Sequence, residues 1–132
     1  MSRMSDRAGW APLVLVAWTL FVWGGRLRNL VRGDEDAPVS FVLAVVFCLL
    51  AVITLVTAFV GRGRHRLAVL VLAGITTVVW AVRGVQIALA DHSVGFIVVH
   101  TVLALVSIGL AVVAWRAVEG DHPASSTVAA AR

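Results

Sequence analysis

The sequence predicts an all-α integral membrane protein, a four-helix bundle with antiparallel, up-down-up-down topology. Three observations carry that prediction. Of 132 residues, 61% are hydrophobic and 14% charged, against roughly 45–50% and about 25% in a soluble domain. The apolar residues fall into four long runs, each near the about 20 residues that cross a hydrocarbon core of about 30 Å. The runs are joined by short connections, so consecutive spans must be antiparallel.

The first span, about 8–30, opens with the uncharged stretch Ala8 to Gly25. Arg3 and Arg7 precede it as they would in a cleaved signal peptide. However, Trp18, Phe21 and Trp23 stand where a small-x-small cleavage site would fall. The turn Gly33-Asp34-Glu35-Asp36-Ala37-Pro38 follows: a glycine past a helix end, then acids and a proline at the next helix start. The second span, 37–61, holds 25 residues without a charge. Gly61-Arg62-Gly63-Arg64-His65-Arg66 reads as the second turn. The third span, 67–90, is interrupted by Arg83. Asp91-His92 makes a tight third turn, and the fourth span, 93–115, contains His100. Residues 1–116 thus form one transmembrane domain. Residues 117–132, with Pro123, Ser125, Ser126 and Thr127, have no apolar face to bury and are expected to form a disordered cytoplasmic tail.

All eleven basic residues are arginine, giving a net charge of +4. They border apolar runs instead of forming a basic domain, which argues against a nucleic-acid partner and for a topological meaning. With both termini cytoplasmic, Arg3, Arg7, Arg62, Arg64, Arg66, Arg116 and Arg132 collect inside, against Arg26, Arg28 and Arg32 outside. Seven against three sets the orientation as N-in, C-in. The single cysteine, Cys48, excludes an intramolecular disulfide and a C-x-x-C redox centre, and is expected as a small buried hydrophobe.

An internal repeat picks out a polar level. Residues 7–30 laid over 64–87 give nine identities in 24 positions. Thr19, Trp23 and Arg26 fall on Thr76, Trp80 and Arg83, and Asn29 on Gln86. A duplicated helical hairpin would produce this pattern, with a pseudo-two-fold axis along the membrane normal. Residues seven apart nearly share a helix face, so Thr76 and Arg83 lie on one stripe, as do Thr19 and Arg26. Arg83 is eight residues before Asp91 and His100 eight after His92. A tight hairpin therefore brings them to one depth, roughly 12 Å below the turn.

Two outcomes are open for these arginines. Their stems extend outward to lipid phosphates or the acidic turn, or they converge with His100 on an anion, a lipid head group or a partner's carboxylate, with tryptophans as walls. The candidate polar or anion site is Arg26, Arg83, Gln86, His100, Trp23 and Trp80. No catalytic, metal or cofactor residue is expected. His65 and His122 lie outside the spans and His92 in a turn, so a second haem ligand at the depth of His100 is lacking. His92 and His100 are separated by about 12 Å of helix. No carboxylate lies inside a span. Small-residue stripes predict close packing: Gly84 and Ala88; Ala104, Ser107, Ala111 and Ala114; and Ala44, Cys48, Ala51, Thr54 and Ala58.

The segments AWTLFVWGGRLRN (Ala17 to Asn29) and ADHSVGFIVVHTVLALVSIGLAVVAWRAV (Ala90 to Val118), with the RG at Arg83 and Gly84, resemble a family of small four-span integral membrane proteins of actinobacteria. The resemblance implies a bacterial inner-membrane location and transfers no catalytic residue. The function expected is a non-enzymatic accessory or scaffolding subunit whose partners are the lipid bilayer, a membrane protein or copies of itself. The alternative is a small oligomeric transporter or channel for an anion or anionic lipid. An enzyme is disfavoured, because His100 is the only acid-base candidate in a span and no carboxylate lies at its depth.

Overall fold

The computed structural model describes residues 5–33 and 37–120. Four helices follow one another: α1 (Ser5–Val31), α2 (Pro38–Val60), α3 (Arg62–Leu89) and α4 (Val94–Gly120). All four are long and apolar enough to cross a membrane. Their outer surfaces are apolar too, with Phe59, Leu89 and Val94 more than three-quarters exposed. Such a surface is solvated by lipid, not water, and the chain is a small multi-pass membrane protein.

Each terminus of a helix has a local cause. Gly33 takes the left-handed conformation (φ 80°) and its N–H bonds the carbonyl of Leu30, closing α1. Pro38 occupies the first turn of α2, where no N–H is needed. Ser93 caps α4: its hydroxyl accepts from the N–H of Phe96 and its carbonyl from that of Ile97. The link between α2 and α3 departs from expectation. The stretch Arg62 to Arg66 is not a turn but the first turn of α3, so a single residue, Gly61, joins the two helices. Arginine is a good helix former, and the Nδ1 of His65 donates to the carbonyl of Thr54 at 3.2 Å, pinning the start of α3 to α2. At the other boundary, residues 117–120 extend α4 where the tail was expected to begin. Asp34, Glu35 and Asp36 and the tail from 121 lie outside the described residues.

In the bundle α1 packs against α2 and α4, and α3 against the same two, so α1 and α3 face one another across the centre. The internal repeat maps onto that diagonal. Leu15 and Leu72 are both 0% exposed, Thr19 and Thr76 both 3%, and Trp23 and Trp80 both 6%; Val16 and Ala73 are buried as well. The repeated residues are thus the centre-facing stripes of two parallel helices. On the other diagonal the buried positions match at an offset of 60 instead: Phe47 with Ser107, Ala51 with Ala111, Thr54 with Ala114. Beneath the tryptophans the centre is filled. Above them, toward the end carrying the 90–93 connection, Ser40 and Ala44 are the only buried residues among those described. The small-residue expectation fails for Ala58, which is exposed, and for Gly84 and Ala88, which are exposed too, with no neighbouring side chain within 4 Å of where a Cβ on Gly84 would stand.

Candidate functional site

The site is built from three helices. On α1, Trp23, Arg26 and Asn29 recur every three residues and share a face. On α3, Trp80 and Arg83 repeat the spacing. α4 brings His100. Arg26 lies five residues before the end of α1, Arg83 six before the end of α3, and His100 six after the start of α4. Each is therefore about 7 to 9 Å below its helix end, and the three line one cavity of about 290 Å³ with Trp23, Trp80 and Asn29. The cavity reaches the surface at Phe21, Gly25 and Asn29, all exposed.

The floor is aromatic. Trp23 stacks flat on Phe47, ring centroids 4.4 Å apart and 2° from parallel, and meets Trp80 at 6.4 Å in a tilted pair. Both indoles are buried, whereas Arg26, Arg83 and His100 above them are half-buried. Arg83 turns toward the helix ends but stays inside the bundle, where its Nη2 donates to the hydroxyl of Ser40 on α2 at 3.3 Å. The His100 Nδ1 donates to the carbonyl of Phe96 at 2.9 Å, and its ring stacks on that of Phe96 at 3.8 Å. With Nδ1 donating there, the Nε2 of the neutral ring is left as a hydrogen-bond acceptor. Phe96 also contacts the ring of His92, so an aromatic ring stands between the two histidines. Among the described residues no group of three His, Cys, Asp or Glu side chains could hold a metal ion.

Five of the six residues expected from the sequence line this cavity: Arg26, Arg83, His100, Trp23 and Trp80. Gln86 does not, and is exposed. Its repeat counterpart Asn29 does. Ser40 escaped the sequence reasoning because a serine two residues into a helix looks like a capping residue. Allowing for the length of an arginine side chain below the mouth would have found it.

Chemically, the cavity offers two guanidiniums, each a planar fork of donors suited to carboxylate or phosphate, an imidazole and an amide. Among the described residues no Asp or Glu lines it. The 28 residues of α3 span about 42 Å, exceeding a core of about 30 Å by about 6 Å at each end. Arg83 then sits close to the boundary between hydrocarbon and head groups. No family model, curated protein or solved structure matches the chain.

Proposed function

We propose that the chain is a non-enzymatic accessory subunit of a bacterial inner membrane, with both termini cytoplasmic, whose cavity holds an anionic group presented by a lipid or a partner protein. The observation that carries this is the convergence of Arg26, Arg83 and His100 from three helices at one level above a closed aromatic floor. Guanidinium donors near the membrane boundary bind anions far more strongly than they would in water, because the surrounding dielectric is low. Packing beneath the floor, where Leu15 and Leu72 are wholly buried, favours holding an anion over conducting one through a single chain.

Purified protein titrated with phosphatidylglycerol and with phosphatidylcholine tests the assignment by native mass spectrometry. The wild type should retain the anionic lipid selectively, and Arg83→Gln should weaken that retention about tenfold or more while leaving the melting temperature within a few degrees. Equal retention of both lipids by wild type and variant would remove the anion reading. For the orientation, His92→Cys in a Cys48→Ser background should react with an impermeant maleimide added to intact cells. Labelling only after lysis would reverse it.

A further inference from the structure

The helices present different outer faces. On α2 the exposed residues Val39, Val42, Val46, Leu49, Ile53 and Val56 are all large and apolar, a surface matched to acyl chains alone. On α4 the surface is mixed. This helix is the least enclosed of the four, with 11% of its most apolar stretch buried against 28–33% in the others. Val94, Leu105 and Val112 lie along one line of its outer face and are exposed. Beside them, Gly109 has no neighbouring side chain within 4 Å of where a Cβ would stand, so another backbone can come close. The line ends on Arg116 and Glu119, both exposed. Glu119 is the sole Asp or Glu in α2, α3 or α4. The two charges border a hollow of about 340 Å³ with Val112 and Trp115, and among the described residues no ion pair joins them to each other or to another side chain.

We infer that this face of α4 is the interface of a homodimer, in which α4 packs parallel to α4 of a second copy and Arg116 of each copy pairs with Glu119 of the other. Charge complementarity selects the occupant. Copies inserted by the same route share an orientation, so the two-fold axis relating them runs along the membrane normal. Residues three apart differ by about 60° around a helix, so Arg116 and Glu119 stand on opposite flanks of the line through Leu105 and Val112. A two-fold rotation exchanges the flanks. Each arginine therefore comes opposite the other copy's glutamate, and the contact is made twice. A partner carrying one sign of charge would satisfy one of the two residues and repel the other. Near the end of α4 the pairs lie at the membrane boundary, where opposite charges attract more strongly than in water. The inference is independent of what the cavity between α1, α3 and α4 holds, because none of these residues lines it.

Cross-linking tests the face and charge exchange tests the pairing. In a Cys48→Ser background, Leu105→Cys should give a disulfide-linked dimer when an oxidant is added to native membranes, whereas Leu49→Cys on the α2 face should not. In detergent, Arg116→Glu and Glu119→Arg should each weaken the dimer about tenfold or more by sedimentation equilibrium, because each places like charges at both contacts. Mixing the two variants should restore a dimer of one copy of each, and the double variant Arg116→Glu/Glu119→Arg should dimerise like wild type. A variant that merely misfolds is not rescued by mixing. If Leu105→Cys gives no dimer, or links only to other proteins, the face is not a self-interface and the inference is overturned. Dimerisation of both single variants at the wild-type level, or no recovery in the mixture, would overturn the pairing of Arg116 with Glu119.

Discussion

Below Trp23 and Trp80 nearly every turn of helix places a side chain in the centre, whereas above them, among the described residues, only Ser40 and Ala44 are buried. The two halves use similar residues, so composition does not explain the difference. In the closed half, large meets small. Leu15 and Leu72 lie in a core shared with Ala111 and Ala114, and Trp18 reaches Ser107. In the open half small meets small, with Gly84 and Ala88 of α3 across a groove from Ala104. Ile87, Ile97 and Leu105 line the same groove without closing it, and Arg83 and His100 hold space above the tryptophans that interdigitating apolar chains would close. Without a hydrophobic force between helices in lipid, shape matching decides where a bundle closes.

Removing the plug between the halves should have the largest effect. Phe47 is wholly buried and stacks on Trp23, so Phe47→Ala leaves a void at the centre. Losses of this kind cost about 3 to 5 kcal/mol in soluble cores, and the lost contacts are the same in lipid. The expected result is a melting temperature lower by many degrees and a red-shifted tryptophan emission as the floor admits water. An unchanged emission maximum would mean that the floor does not depend on the stack.

Next in size is a pair of substitutions to leucine with opposite outcomes. Ala114 is 0% exposed, and Ala114→Leu overpacks the closed half at a cost of about 1 to 3 kcal/mol. Gly84→Leu enters open space and should leave stability nearly unchanged. Thermal unfolding in one detergent measures both. Equal destabilisation would mean that the halves do not differ in packing.

Much of this was legible in the sequence because the bilayer allows few solutions. Span number and antiparallel order follow from run lengths and short connections, and the shared depth of Arg26, Arg83 and His100 follows from counting residues along a helix. Two features were not legible. Arg62 to Arg66 carries glycine and charge, which look like a loop, yet the His65 bond to Thr54 that holds it helical joins residues on different helices. Similarly, Gly84 and Ala88 carry a close-packing pattern, but whether a small residue is filled depends on the opposing helix. Gln86 was misplaced by the same route: the repeat gives it the position of Asn29, whereas in the structure the cavity reaches the surface on the α1 side.

The smallest expected effect tests whether the closed half needs a polar tie as well as shape. Trp18 Nε1 donates to the hydroxyl of Ser107 at 2.9 Å, joining α1 to α4 directly below the level where α4 loses its buried contacts. Interhelical hydrogen bonds in membranes average about 0.6 kcal/mol and reach about 1.7. Trp18→Phe also shrinks the ring and Ser107→Ala also removes an oxygen, so neither single substitution isolates the bond. A double-mutant cycle does, and a coupling near 0.6 kcal/mol is expected. A coupling indistinguishable from zero would leave size complementarity as the sole reason that α4 is held below Ser107 and exposed above it.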